Sequence, residues 1–387
     1  LLDAYPKEKH GQAMALWGVG VMLGPILGPS LGGWLTENYN WRWVFYINVP
    51  IGIVALIGIF TYMKETALDT TRKFDALGFT LLSLSIGCLQ LFLDRGESQE
   101  WFASTEIMFE FGIMVLAFYL FLVHMFTSPH PFIEPGLFRD RNYSSSLIFM
   151  FIVGIILLAT MALMPPFLQN LMGYPVITTG MVLAPRGVGT MVAMMLAGRL
   201  MGKVDTRYLI LFGLLLTALS LHDMAQFNLE VSEATLIYTG LIQGFGMGFV
   251  FIPLSTIAYA TLDPSYRNEA TSLFALVRNI GSSVGISIMI VLVSRNTQIS
   301  HADLTSLLNP FSPSMKLLDT ITETTGTQLP VNAMLNAEVT RQAAAIAYLN
   351  DFRLLMYIDL AAIPLLLFMR VPKRAKVSPE QAAMAME

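Results

Sequence analysis

The sequence predicts an all-α integral membrane protein, and three observations carry that prediction. Of 387 residues, 55% are apolar and only 13% charged, with a mean hydropathy of +0.61; a soluble domain carries charge on about a quarter of its residues. The apolar residues fall into stretches long enough to cross a ~30 Å hydrocarbon core as helices of about 20 residues. Basic residues are also distributed unevenly between alternate connections, as expected of helices oriented in a bilayer.

Composition excludes several function classes. A net charge of −4 is wrong for a broadly basic nucleic-acid binder. The one cysteine, Cys88, permits neither an internal disulfide nor a thiolate cluster, and the five histidines form no H-x-x-H or H-E-x-x-H pattern. No metal or cofactor is expected. Neither a phosphate-binding loop nor a nucleophile–base set is present, which argues against an ATP-driven pump and against an enzyme.

Taken in order, the candidate spans run over 11–35, 43–62, 75–93, 106–126, 144–166, 176–200, 207–225, 234–261, 270–294 and 350–370, ten in all. Short polar segments separate most of them. One set of alternate connections holds Lys7, Lys9, Lys64, Arg72, Lys73, Arg139, Arg141, Arg199, Lys203, Arg207, Arg267, Arg370, Lys373, Arg374 and Lys376. The opposite set holds Arg42, Arg95, Arg295, Lys316, Arg341 and Arg353, mostly around one long loop that counts for little. The positive-inside rule makes the first set cytoplasmic, and the C-terminus with it. Trp41, Trp43 and Trp101 fall at span ends, where aromatic anchors belong. The segment 296–349 is expected to be a long, polar, external loop whose second part, AMLNAEVTRQAAAIAYLNDF, is compatible with a helix leading into the last span.

The rest of the chain is organised around the stretch from Gly18 to Trp43. Gly20, Gly24, Gly28 and Gly32 recur every four residues, with Pro25 and Pro29 beside two of them and Gly33 closing the run. That spacing keeps the glycines near one helix face. Gly and Pro weaken a helix in water, but in a bilayer small residues let backbones approach closely. The plain alternative is a packing face and nothing more.

GPILGPSLGG (24–33) resembles the antiporter motif on the fifth span of drug–proton antiporters of the major facilitator superfamily. WRWVFYINVPIG (41–52) resembles the start of span six in its EmrB-like, fourteen-span branch. The resemblance implies a major facilitator fold with about ten transmembrane helices present. Residues 1–10 would be the loop before span five, and four spans, with the main proton-carrying acid, would lie outside the chain. Without those spans the chain is expected not to transport. Residues 1–63 would end the N-terminal bundle, 64–142 would form an extra two-span hairpin with cytoplasmic linkers, and 143–387 a six-span C-terminal bundle. The implied function is proton-coupled export of small amphipathic compounds by alternating access, a multidrug antiporter of the bacterial inner membrane. A periplasmic adaptor protein and an outer-membrane channel are the implied partners, with the loop 296–349 as docking site. A narrow-substrate exporter of a siderophore, lipid precursor or amino acid, or a non-transporting membrane scaffold, are the alternatives.

Several residues are candidates for chemistry. GRLMGKVDTR (198–207) resembles the superfamily's loop motif at Gly198, Leu200, Lys203, Asp205 and Arg207, although the usual acid is Gly202 here. Asp205 with Arg199 or Arg207 could form a charge latch; a positive-inside loop is the alternative. Arg186 and Arg278 lie within spans, where an Arg costs about 2.5–3.5 kcal/mol on insertion scales and is a functional candidate. Arg186 could instead snorkel. Small-residue stripes at Gly187, Gly189, Ala193 and Ala197 and at Gly281, Ser282 and Gly285 suggest close packing. The resemblance implies that the first stripe meets the glycines at 20–33 and that the second lacks its mate. Gln243, Phe245, Met247, Phe251 and Asn279, with Gln169, Asn170 and Tyr174 toward the outside, are candidates for the substrate cavity, against the alternative of ordinary core or lipid-facing residues. Asp359, inside the last span, is a candidate proton site or the partner of an Arg on a neighbouring helix. Glu110 and His124 are expected to reach water near the ends of the hairpin.

Overall fold

The computed structural model describes residues 31–62, 74–263, 266–307 and 331–369, together with the isolated positions 16, 18, 20, 24 and 28. Pro25, Pro29, the linker around Lys64–Lys73, residues 308–330 and the basic C-terminal tail therefore lie outside the described residues. Helix α1 covers 31–38, and α2 (Trp43–Tyr46) and α3 (Asn48–Tyr62) together form one span. The remaining helices are α4 (Ala76–Arg95), α5 (Thr105–Thr127), α6 (Arg141–Pro166), α7 (Val176–Leu200), α8 (Thr206–Met224), α9 (Glu233–Ala260), α10 (Arg267–Leu307) and α11 (Val331–Ala362).

Local sequence sets many helix ends. Asp140, Asp205 and Ser232 cap α6, α8 and α9 by accepting from the backbone N–H of Tyr143, Arg207 and Thr235. Pro165 and Pro166 end α6, and a single π-turn, Phe167–Leu171, follows before Gly173 takes a positive φ of 72°. Among the described residues eight helices are long and apolar enough to span a membrane. The first expected span lies largely outside them. The last one holds Asp351, Arg353 and Asp359 close together, which lowers its apolar character.

Helices α6 to α11 form a closed ring of contacts: α7 packs on α9, α9 on α8, α8 on α11, α11 on α10, α10 on α6, and α6 back on α9. Glycines set the closest seams. A Cβ at Gly189 would stand 2.5 Å from the Leu241 carbonyl, and one at Gly248 2.6 Å from the Ala193 Cβ. Gly154 of α6 and Gly281 of α10 abut each other's helix backbones, and Ser282 Oγ donates to the Gly154 carbonyl at 3.2 Å. Two expectations are corrected here. Gly189 and Ala193 face α9 rather than the N-terminal glycines, and the stripe at Gly281 and Gly285 has its mate in α6.

The hairpin α4–α5 is fastened at two points. Ser287 of α10 donates to the Leu93 carbonyl at 2.6 Å. At the other end, Asp75 accepts from Gly78 N (3.0 Å) and Phe132 N (2.9 Å), with His124 Nε2 2.9 Å from its Oδ1. Burial opposes ionisation of Asp75, but the hydrogen bonds from Gly78, His124 and Phe132 outweigh it and hold its carboxyl below the usual range. Glu110 faces Arg95 at 3.4 Å with one oxygen buried. Both Glu110 and His124, expected to reach water, are thus engaged by the protein.

The segment 296–349, expected to be a polar external loop, departs most from its expectation in the described residues. Helix α10 continues to Leu307, and at 1.5 Å per residue its 41 residues reach about 61 Å, twice the hydrocarbon core. Residues 295–307 contain no Gly or Pro, so nothing in the chain stops the helix there. Outside the apolar part it stays paired with α11, where His301 Nε2 lies 3.0 Å from Asn336 Oδ1.

Candidate functional site

Arg186 sits eleven residues into α7, near the middle of its 25. It is 8% exposed, and its Nη2 donates to the Leu157 carbonyl of α6 at 3.1 Å. The side chain turns into the protein and does not snorkel. Around it α6, α7 and α9 form a polar layer: Thr190 Oγ1 donates to the Arg186 carbonyl (3.0 Å), and Gln243 Nε2 donates to Thr160 Oγ1 (3.2 Å). Gly244 abuts the Arg186 carbonyl, and a Cβ at Gly240 would lie 3.7 Å from the Arg186 Cβ, so these glycines make the room in which the arginine is held.

A cavity of about 390 Å³ opens beside this layer, within the range of ligand pockets. Arg186, Thr190, Leu183 and Thr179 line it from α7, Leu157, Met161, Met164 and Pro165 from α6, and Gln169 from the π-turn. Gly28, Gly32, Gly33, Thr36 and Val44 close it from the N-terminal side. The structure therefore brings the glycine motif and Arg186 to one site. The glycine face packs only near its ends. A Cβ at Gly18 would meet Met194 Sδ at 2.8 Å and one at Gly33 the Val176 carbonyl at 3.1 Å, whereas Gly20, Gly24 and Gly28 meet no described atom within 4 Å. Between those ends the missing side chains leave volume, where the sequence suggested contact.

Other candidates lie elsewhere. Gln243 and Met247 are buried in the helix contacts of α9, and Phe245 packs on Phe249 with ring centroids 5.2 Å apart. Asn279 is exposed on α10. None of these four lines the cavity: α9, which carries the first three, lies between α7 and α8 and uses its faces for packing, and Asn279 is on α10. Gln169 does line it; Asn170 is exposed and Tyr174 half-buried. The Arg278 guanidinium stands 6.0 Å from the Phe251 ring centroid. In the loop motif, Gly198 is buried, Arg199 is exposed, Asp205 caps α8, and Arg207 Nη2 donates to the Met369 carbonyl. No ion pair joins Asp205 to Arg199 or Arg207 among the described residues, so the expected charge latch is instead a helix cap and a tie to the end of the last span.

Asp359 is fully buried, and neither carboxylate oxygen has a hydrogen-bond partner among the described residues. Among the described residues no Arg pairs with it. Asp351, two turns earlier and 1% exposed, has one oxygen in the same condition. Sequence reasoning missed Asp351, whose signal was its place in the helical approach to the last span. It also missed Thr179 and Thr190, although Thr179, Leu183, Arg186 and Thr190 follow the 3–4 spacing of one helix face. Among the described residues no cluster of His, Cys, Asp or Glu could hold a metal ion.

The Major Facilitator Superfamily profile matches residues 1–286. Over 375 residues the chain is 32% identical to the multidrug export protein EmrB of Escherichia coli K12, covering 96% of this chain and 73% of that one. The chain belongs to the EmrB-like branch of the Major Facilitator Superfamily. This EmrB-like chain is also 32% identical to the probable multidrug resistance protein EmrY of the same strain, covering 97% of this chain and 74% of that one. A crystal structure of a bacterial homologue of the human lysosomal transporter Spinster, inward-facing and occupied, shares 13% identity, with a TM-score of 0.44 over 94% of this chain and 87% of that one. Proteins of this superfamily transport solutes and are not in general enzymes. The EmrB-like chain is a multi-pass inner-membrane protein in contact with the lipid bilayer and its substrate.

Proposed function

We propose that the chain serves in proton-coupled multidrug efflux, exchanging protons for small amphipathic compounds by alternating access. The observation that carries this reading is the cavity between the glycine motif and α7, an apolar chamber where the N-terminal span meets the C-terminal bundle. In such folds substrate sites lie near the bilayer midplane at the interface of the repeats, and one bundle rocks against the other. Arg186 stands at about that depth. EmrB and EmrY, named for multidrug export and resistance, support the substrate breadth. With no nucleotide loop in the sequence, a proton gradient is the energy source; one proton moving through ~100 mV supplies about 2.3 kcal/mol, roughly a fifty-fold substrate gradient. The buried, unpaired Asp359, with Asp351, is the candidate proton carrier of the C-terminal bundle, and Arg278 a further coupling charge.

In this reading residues 1–63 complete the N-terminal bundle, 64–142 are an inserted hairpin and 143–387 form the C-terminal bundle. The basic connections and the C-terminus face the cytoplasm. The outer ends of α10 and α11 then project into the periplasm, where an adaptor leading to an outer-membrane channel would dock. The test is drug susceptibility of a pump-deficient strain expressing the gene at its native length, with and without a protonophore. Resistance to several unrelated compounds that collapses with the protonophore is the expected result. Resistance to one compound alone would assign a narrow-substrate exporter, and unchanged susceptibility to every compound would refute the efflux reading.

A further inference from the structure

We infer that Arg341 is a positioning residue of the cavity: reaching across from α11, it holds the π-turn and, with it, the place of Gln169 in the cavity wall. The inference rests on the efflux reading only for what the cavity receives. Gln169, Pro165 and Met164 bound the cavity where α6 ends. Pro165 and Pro166 withdraw two helical N–H donors there, and the backbone widens into the π-turn Phe167–Leu171. Two backbone bonds close the turn, from Met172 N to the Phe167 carbonyl at 3.3 Å and from Tyr174 N to the Leu168 carbonyl at 2.9 Å. A piece of wall this short, with prolines before it and Gly173 after it, takes its position from what it leans on.

It leans on α11, a helix that contributes no residue to the cavity lining. Phe167 is fully buried, its ring centroid 5.7 Å from that of Tyr348 and 6.4 Å from that of Phe352. At the other end of the turn, Arg341 Nη1 donates to the Leu171 carbonyl at 3.2 Å. Arg341 precedes Tyr348 by seven residues, so the two stand about 10 Å apart on one face of α11 and brace both ends of the turn. The guanidinium is itself aimed. Its Nε and Nη2 donate to the two oxygens of Glu338 at 2.9 and 3.0 Å, and Gln342 Nε2 donates to the same carboxylate at 2.8 Å. Such a fork fixes the plane of the guanidinium, and Nη1 is left to reach Leu171. The Arg341 and Glu338 side chains are 41% and 50% exposed, and an ion pair that open to water does little to hold a fold together. Its geometry holds the turn instead, two residues from Gln169.

The test uses the purified protein at its native length in phosphatidylcholine nanodiscs, free of other cysteines and labelled with bimane at Gln169→Cys or, separately, at Leu183→Cys. Both positions line the cavity, the first on the π-turn and the second on α7. Iodide quenching reads how often each label meets water. Arg341→Ala should raise the quenching constant at 169 about threefold, the scale of an exposed charged contact, and leave the constant at 183 unchanged. Glu338→Ala should raise it less, and should add nothing once Arg341 is alanine, because Glu338 acts through the guanidinium. Arg295→Ala, at an exposed arginine of α10, should move neither label. No response at 169 to Arg341→Ala would overturn the assignment. Equal rises at 169 and 183 would also overturn it, as general loosening, and so would an equal response to Arg295→Ala or additive effects of Glu338→Ala and Arg341→Ala. Because quenching is read without transport, failure of the efflux reading shows separately. A protein that exports nothing yet gives the selective rise at 169 would refute only the efflux reading. One that exports several drugs without that rise would refute only the positioning role.

Discussion

Replacing Gly189 by alanine tests whether the seam between α7 and α9 is as tight as it stands. The added Cβ would come 2.5 Å from the Leu241 carbonyl oxygen and 3.2 Å from Phe245 N, both backbone atoms that cannot rotate aside. Ordinary contact begins near 3.4 Å, so the two helices must part by about 0.9 Å along a seam where Gly248 is about as close and Gly244 closer still. Overpacking of this kind costs about 1–3 kcal/mol, partly offset by the ~0.8–1.0 kcal/mol that alanine gains over glycine in a helix. The matched control is Gly112→Ala on α5, where a Cβ meets no described atom within 4 Å and the helix gain stands unopposed. The two substitutions should therefore shift stability in opposite directions. Apparent melting of the purified variants in the same detergent, at one scan rate because membrane proteins unfold irreversibly, reads the contrast. A Gly189→Ala protein melting at or above the parent temperature would refute the close seam, and with it the rigid placing of Leu183, Arg186 and Thr190 against the cavity.

Three further outcomes are expected. Asp75→Ala removes the acceptor shared by Gly78, His124 and Phe132 and should cost about 0.5–2 kcal/mol, seen as faster amide exchange at Gly78 and Phe132. Because the carboxyl is held below its usual value of 3.8, the parent's tie is complete above that pH and is lost only as the pH falls through the lowered value; exchange at those two amides should be unchanged between pH 5 and 8 once corrected for intrinsic rates. Arg207→Ala releases the Met369 carbonyl, a bond to a charged group worth about 1.5–3 kcal/mol, and should speed proteolysis beyond Phe368 without altering the bundle. Asp359→Leu removes two buried oxygens that lack partners and should raise the melting temperature, a gain of about 1–3 kcal/mol, while abolishing protonophore-sensitive efflux; a lower melting temperature would mean the carboxyl is satisfied.

Much of the fold was legible because hydropathy reports where lipid begins and ends. The expected span 176–200 coincides with α7, and 106–126 differs from α5 by a residue at each end. Helix α10 exceeded its expected span of 270–294 because backbone hydrogen bonding continues past the lipid boundary where no Gly or Pro interrupts it and a neighbouring helix accompanies it. The site was only half legible. Arg186 announced itself by the cost of a charge in the bilayer, and the glycines by their spacing. Spacing names the face of a helix but not what lies opposite, so Gly28 and Gly32 read as contact residues when they border a void. For the same reason Gln243 and Met247 read as open to substrate, although the packing of α9 against α6, α7 and α8 buries them.

The length of α10 has a mechanical consequence. It crosses α6 where Gly154 and Gly281 touch, and from that fulcrum an unbroken helix runs 26 residues to Leu307, a lever arm of about 39 Å. A tilt of about 5° at the crossing would swing the far tip through about 3 Å. Movement inside the membrane is thereby broadcast outside it, enlarged in proportion to the arm, so that anything resting on the tip would feel each turnover as a stroke.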